Sequence, residues 1–226
     1  MNTRLAVVIL NFNGQQHLER YLPSVVKHSA PYQVIVADNG STDHSVSFLS
    51  THFPSVQLLE LKHNFGFAGG YNVALEQIKD SFDYYFILNS DVEVTENWIN
   101  PLLAFLEENP SVAACQPKIK SWNNKSQFEH AGAAGGFIDS NYFPFCRGRI
   151  FDRLELDETQ YDFNLPITWT SGAAMLIRAN LFHEVRGFDS DFFAHMEEID
   201  LCLRLGNKGH QFFCIPESTV YHLGGG

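Results

Sequence analysis

The chain has 226 residues, with 26 acidic side chains against 15 Lys and Arg, a formal net charge of −11 and a 45% hydrophobic content. That length suits one large α/β domain or two small ones, and the composition suits a packed core rather than a disordered chain. Sparse, scattered Lys and Arg exclude a nucleic-acid-binding surface, yet an acidic chain still holds a polyanionic nucleotide once a divalent cation screens its carboxylates.

Leu5 to Leu10 is a continuous apolar, β-branched run ending at Asn11, the pattern of a strand buried on both faces. Leu18, Leu22, Val25 and Val26 predict a helix over 14–28. Gln33 to Ala37 predicts a second buried strand, closing on Asp38-Asn39-Gly40-Ser41; a short helix at 45–52 and a third strand at 56–61 follow. A Gly-rich turn leads into a helix over about 68–78, and Tyr84 to Leu88 reads as a fourth strand. Strand and helix alternating with short connections predict a parallel, doubly wound sheet whose ligands sit at the carboxyl ends of the strands. That edge gathers 11–14, 38–43, 63–70 and 89–93, the polar and Gly-rich clusters of the first half.

The second half predicts a helix at 98–108, a strand at 111–119, a strand at 167–177, helices at 178–185 and 196–207, and a strand at 211–215. Between them, 121–166 is Gly- and aromatic-rich without a clear assignment, and segments of that length are typically binding loops or lids. Phe is frequent, at 20 residues; rings in Gly-flanked loops such as Phe65-Gly66-Phe67 can form sugar or base platforms, although core filling accounts for most of them. No apolar run approaches the roughly 20 residues that span a bilayer. The four cysteines show no CxxC spacing, and Cys202 and Cys214 read as small buried hydrophobes in a reducing cytoplasm. No repeat or linker appears, so the chain reads as one domain. Its end on Gly224-Gly225-Gly226, directly after a candidate ligand, reads as a fragment whose continuation would order that end.

Three clusters carry chemistry. Asp38 closes an apolar strand, where a carboxylate needs a partner; a base or a ribose hydroxyl would supply one, whereas a strand–turn–helix junction accounts for Gly40, Ser41 and Asp43. Asn89-Ser90-Asp91 followed by Glu93 offers oxygen ligands at a strand end, suited to Mg2+ or Mn2+ bridging two phosphates, with an ordinary turn as the competing reading. His222 offers a late nitrogen ligand. Glu197-Glu198-Ile199-Asp200 opens a helix, where acids also serve the dipole, and the aromatic loop 187–193 lies just before it. A carboxylate beside aromatic walls gains the basicity to deprotonate a sugar hydroxyl.

Val8-Ile9-Leu10-Asn11-Phe12-Asn13-Gly14, Asp38 to Asp43, Asn64-Phe65-Gly66-Phe67-Ala68-Gly69-Gly70-Tyr71-Asn72 and Leu88-Asn89-Ser90-Asp91 occur in that order. They are followed by Ser171 to Arg178, Gly187-Phe188-Asp189, Glu197 to Leu201, and His222. This series resembles the family 2 glycosyltransferases of GT-A fold, in particular the rhamnosyltransferase-like branch, over nearly the whole chain. The resemblance implies a Rossmann-like α/β fold with a mostly parallel central sheet flanked by helices. It implies one domain over 1–226, with a nucleotide-binding half at about 1–119 and an acceptor and catalytic half at about 120–226.

The implied activity is inverting transfer from a UDP- or dTDP-linked sugar to a hydroxyl of a saccharide or lipid-linked acceptor in surface polysaccharide synthesis. The implied setting is cytoplasmic, with at most peripheral contact at the inner face of the membrane. Asn11, Asn13, Asp38, Asn64, Gly69, Asn72, Asn89 and Ser90 match nucleotide-sugar positions. Asp91 and His222 match the ligands of a divalent cation, Mn2+ or Mg2+. Glu198 matches the general base, with Glu197 beside it, and Trp169, Ser171, Gly172 and Ala173 match the sugar and acceptor pocket. Two positions depart from the family pattern: Asn89 stands where the first acid of the metal motif is usual, and Glu198 where Asp is usual. A sugar nucleotidyltransferase would carry a basic Gly-rich loop after strand one, and Asn11–Gln16 has none; a dinucleotide oxidoreductase would show GxGxxG there. A non-catalytic nucleotide-sugar or carbohydrate-binding module remains the alternative from another class.

Overall fold

The computed structural model describes residues 4–130 and 132–224, so Gly225 and Gly226 of the terminal glycine tract lie outside the described residues. The first half follows the sequence pattern closely. It runs β1 (Leu5–Asn11), α1 (Gln15–His28), β2 (Gln33–Asp38), α2 (Ser45–His52), β3 (Gln57–Glu60), α3 (Gly66–Gln77) and β4 (Tyr84–Asn89). Next come β5 (Val92–Val94), α4 (Asn100–Glu108) and β6 (Val112–Ser121). The segment after β6, expected to be hard to assign, carries two small hairpins, β7 (Gly136–Ile138) with β8 (Pro144–Cys146), and β9 (Arg149–Ile150) with β10 (Arg153–Leu154). The chain closes with β11 (Leu165–Ile167), β12 (Ala174–Arg178), α5 (Ala179–Glu184), a 3-10 turn at Ser190–Phe192, α6 (Glu197–Gly206) and β13 (Gln211–His222).

The central sheet has the order β11-β13-β6-β12-β4-β1-β2-β3, with β5 paired to β13. β3, β2, β1 and β4 are mutually parallel, as the alternation of elements requires. β12 enters antiparallel between β4 and β6, and β13 returns parallel to β6. Successive strand residues feed opposite core layers, following the period of two. Leu5, Val7 and Ile9 of β1 pack with Leu18, Leu22, Leu102 and Leu106, whereas Ala6 and Val8 pack with Tyr71, Leu75, Phe182 and Leu205. Each fully buried aliphatic or aromatic side chain contributes about 1.5–3 kcal/mol, and the sheet stands between two such layers.

Two expectations need correction, and one strand was not foreseen. The strand expected at 167–177 is two, because the chain turns over 168–173; Thr168 N donates to Gly136 O, and Ser171 N donates to the buried Gln116 side chain. β5 went unrecognised because three residues hold too little pattern. β13 continues past Ile215 to His222, its register shifting between Ile215 and Thr219 where Pro216-Glu217-Ser218 interrupts the apolar run.

The arm formed by 121–166 is anchored by charge. Lys118 and Lys120 on β6 both reach Asp157, at 3.1 and 2.8 Å, and Lys118 also meets Asp162. Burial disfavours the Lys118 cation, but its hydrogen bonds to Asp162 and Asp157 outweigh that and raise its pKa. Beyond this anchor, Tyr142, Phe143, Ile150 and Phe151 stand exposed. Among the described residues no helix is long and apolar enough to cross a membrane. Replacing Asp157→Ala deprives buried Lys118 and half-buried Lys120 of a shared partner; with Asp162 still present, the expected cost is about 3 kcal/mol in urea unfolding. Proteolytic cleavage within 136–163 should accelerate in step. Unchanged unfolding and cleavage would show that the arm is held by something else.

Candidate active site

β1, β2 and β4 end in register, Asn11 opposite Asp38 and Leu10 opposite Asn89, so their terminal polar residues share one edge. Asp38 is buried, but its partners come from the chain itself: Asn11 Nδ2 donates to Oδ1 at 2.9 Å and Ser41 N donates to Oδ2 at 2.9 Å. The base or ribose partner expected from the sequence is therefore not needed to satisfy this carboxylate. Asn13, at φ 50, accepts from Thr42 N and Asp43 N at 2.7 and 3.2 Å, while Asp43 accepts from Gln15 N. Together these bonds zip the first two loops. One atom stays orphaned, Asn11 Oδ1, and a Cβ at Gly14 would sit 2.5 Å from it.

The Gly-rich loop is clamped by Asn39, a residue the sequence reading passed over. Its Nδ2 donates to Asn64 Oδ1 and Gly66 O at 3.0 and 2.9 Å, and its Oδ1 accepts from Phe65 N. Asn72 does not face a ligand space: it donates to Phe188 O at 2.7 Å and accepts from Phe188 N at 2.9 Å, joining α3 to the 187–190 turn. Gly69 lies against Phe65 and Ser190 in the same junction. The first N–H groups of α3 find their acceptor in that loop too, Phe67 N donating to Phe193 O at 2.6 Å. Phe193, His195 and Met196 all hold positive φ, at 55, 72 and 74°, an unfavourable backbone for residues other than glycine.

A cavity of about 1030 Å³ opens at this edge. Asn89, Ser90 and Asp91 line it from the end of β4, Ser171, Gly172 and Ala173 from the turn before β12, Glu197 and Glu198 from the start of α6, and His222 from the end of β13. Asn11, Asn13, Asp38, Asn64, Gly69, Asn72 and Trp169 are not among its lining residues. Trp169 instead lies buried under the arm, donating to Phe137 O at 2.9 Å, and a Cβ on Gly136 would overlap its ring at 2.1 Å. This corrects its expected place in the pocket floor. The cavity also collects Glu129 and His17, which no motif had marked. Buried Tyr71, part of the Gly-rich motif but given no role there, accepts from Leu10 N at 3.3 Å and donates to Leu88 O at 3.0 Å, pinning the ends of β4 and β1 together.

Pairing of β13 with β5 brings His222 opposite Val92, beside Asp91. His222 Nε2 lies 3.1 Å from Asp91 Oδ1 and 3.4 Å from Asn89 Nδ2, and Nδ1 lies 3.5 Å from Glu129 Oε2. That last separation is an ion-pair distance; Nδ1 makes no hydrogen bond of normal geometry. Burial works against the imidazolium, but the hydrogen bond to Asp91 and the negative charges of Asp91 and Glu129 prevail and push His222 up to about 9. Burial likewise raises the Asp91 carboxyl, and the His222 hydrogen bond and charge overcome it, holding Asp91 below its ordinary value. Among the described residues, no three His, Cys, Asp or Glu side chains form a ready-made metal cage. The Asp91–His222 pair fits a cation that draws its remaining ligands from a bound diphosphate, since one hard oxygen and one imidazole nitrogen converge at the cavity wall.

Glu198 differs from Asp91. Burial first, then the charge of Glu197, push its carboxyl up to about 7, against lowering by backbone N–H groups including that of Gly172. Glu197 is raised too, chiefly by burial. One carboxylate oxygen of each, Oε2, is buried without a partner. The dipole at the start of α6 favours both anions but does not offset the desolvation.

Residues 6–185 match the model of the family described as glycosyl transferase family 2. The chain belongs to that family. Its relatives include the N-acetylglucosaminyl-diphospho-decaprenol L-rhamnosyltransferase of Mycobacterium tuberculosis, 28% identical, with the match covering 98% of this chain and 76% of that protein. Rhamnosyltransferase WbbL of Escherichia coli is 22% identical over 96% of this chain and 82% of that protein. Solved structures of similar fold include GalNAc-T7 with UDP, GalNAc and Mn2+, at a TM-score of 0.74 and 16% identity over 97% of this chain. The mannosyltransferase PcManGT from Pyrobaculum calidifontis, with GDP-Man and Mn2+, gives 0.69 and 16% over 99% of this chain. The chain spans 44% and 57% of the length of those two solved chains, and the likeness shows a shared GT-A fold.

The raised Glu198 carboxyl of this family 2 chain has a measurable consequence. With a folded pKa of about 7 against an ordinary 4.5, the unfolded chain loses the Glu198 proton first, so this group's contribution to stability falls as pH rises between those values. Glu198→Gln removes that titration. Relative to wild type, the variant should gain on the order of 2–3 kcal/mol of unfolding free energy between pH 4 and pH 8. A difference that stays flat across that range would show an unperturbed carboxyl.

Proposed function

We propose that this chain transfers a sugar, with inversion, from a nucleotide-diphospho-sugar to a hydroxyl of a saccharide or lipid-linked acceptor, as one step in building a surface polysaccharide. The observation that carries the reading is the cavity itself, where a buried carboxyl pushed up to about 7, Glu198, shares walls with the Asp91–His222 pair. The names of the rhamnosyltransferase relatives support a sugar on a carrier lipid as acceptor. The nucleotides bound in the two solved neighbours support a nucleotide-linked donor. A uridine or thymidine diphosphate is the donor class, and peripheral work at the inner face of a membrane is the setting, since the acceptor is carried there.

Asp91 and His222 are the residues that would hold Mn2+ or Mg2+; such a cation, when bound, offsets the charge of the departing diphosphate. Glu198 accepts the proton of the acceptor hydroxyl as its oxygen forms the new bond to the anomeric carbon. The bond from that carbon to the diphosphate oxygen breaks on the opposite face, and the electron pair leaves with the nucleotide. A base with pKa near 7 is matched to this task, because it is largely free at working pH and still binds a proton well. The turn at Ser171–Ala173 and the start of α6 keep that carboxyl away from bulk water.

Glu198→Gln and Asp91→Ala should each lower kcat by at least about 100-fold with the circular dichroism spectrum unchanged. Near-normal turnover in either variant removes that residue from the scheme. Initial rates against pH should show an acid limb in kcat/KM at about 7, the value of the free base, rather than near 4.5. Cation-dependent hydrolysis of UDP- or dTDP-sugars without acceptor separates this reading from a binding module, which would hold the donor intact.

A further inference from the structure

His222 is approached by carboxylates on both edges of its ring. Asp91 Oδ1 lies 3.1 Å from Nε2, and Glu129 Oε2 lies 3.5 Å from Nδ1, with side-chain exposures of 15% for Asp91, 9% for His222 and 6% for Glu129. The two ring nitrogens point apart, so a cation shared by Asp91 and Nε2 has Glu129 behind the imidazole rather than beside the ion. Glu129 is itself fixed: its N–H donates to Ile119 O at 3.1 Å, beside β6. The chain that follows His222 packs on its carboxylate, since a Cβ on Gly224 would lie 2.6 Å from Glu129 Oε1. The side chain thus touches both the ring and the backbone that carries it.

We propose that Glu129 is a positioning residue for the cation site: from 3.5 Å its carboxylate attracts the Nδ1–H of His222, keeps the proton on that nitrogen and so holds the ring with Nε2 toward Asp91 and the cavity. This rests on the reading of Asp91 and His222 as the cation ligands. A histidine's two nitrogens are distinct, and the hydrogen bond made by one decides which is left to bind a metal. A carboxylate behind a ligating imidazole also strengthens the ligand, and losing such a partner weakens metal binding by about 10–100-fold. Glu129 lies at the root of the arm, so the arm supplies part of the cation site as well as a wall of the cavity.

The test uses the full chain and Mn2+ alone, titrated by calorimetry. Asp91→Ala should abolish binding, Glu129→Ala should weaken it by about 10–100-fold, and Glu129→Gln, which still offers an acceptor to Nδ1–H, should recover most of the loss. Wild-type affinity in Glu129→Ala alongside lost binding in Asp91→Ala overturns the inference and leaves the cation reading standing. Unchanged binding in Asp91→Ala overturns the cation reading itself. Binding abolished by Glu129→Ala as fully as by Asp91→Ala makes Glu129 a direct ligand and overturns its placement behind the ring. Imidazole 15N spectra of the Zn2+-loaded wild type, assigned by comparison with His222→Ala, give a readout independent of variant folding. A protonated Nδ1 with a metallated Nε2 is expected, and the reverse pattern overturns the proposal.

Discussion

Desolvating an anion is among the largest costs a fold can carry, and this chain gathers the carboxylates of Asp91, Glu129, Glu197 and Glu198 around one cavity. The protein meets that cost unevenly. Asp91 and Glu129 share the imidazole of His222, which answers both with positive charge. Among the described residues no Lys or Arg forms an ion pair with Glu197 or Glu198, and Glu198 answers by retaining its proton to about pH 7. One end of the cavity is thus built to keep negative charge, the other to give it up and take it back. A reaction that needs an electrostatic anchor at one place and a proton acceptor at another finds both ready-made, separated by the environment of otherwise similar groups.

The sheet places these groups together. β4 delivers Asp91 and β13 delivers His222, and the short β5 pairs with β13 so that residues far apart in sequence become neighbours. α6 brings the two glutamates in from the layer that also contains α3 and α5, and the 187–196 loop ties that layer to the Gly-rich loop through Asn72 and the Phe193 carbonyl. The Gly-rich loop and the segment leading into α6 are therefore joined by hydrogen bonds as well as by proximity.

The parallel half of the fold was legible because β1, β2 and β4 are unbroken apolar runs ending in polar residues, and burial on both faces leaves few other interpretations. The acids at 91, 197 and 198 and the histidine at 222 were legible as an ordered set of short motifs. Asp38 was legible only in part, for a physical reason: sequence shows that a buried carboxylate needs a partner, not that Asn11 and Ser41 already provide one. Asn72 and Trp169 bind backbone beside the cavity, a placement that a polar or aromatic residue inside a motif does not reveal. Glu129 was invisible, lying in a stretch without periodicity and acting through a contact that exists only once β13 has paired. The split of 167–177 and the extension of β13 depend on a turn and a bulge, which apolar patterning does not encode.

The left-handed backbone at Phe193, His195 and Met196 limits how this region can evolve. Val, Ile and Thr are strongly disfavoured there by their branched Cβ, and Pro by its fixed φ, while Gly would relieve strain and loosen the approach to the two glutamates. The set of tolerated replacements is therefore narrow beside the chemistry and wide at the arm's exposed aromatic tips. Substitutions accumulate at least cost at those tips, with the two-glutamate end of the cavity left as it is.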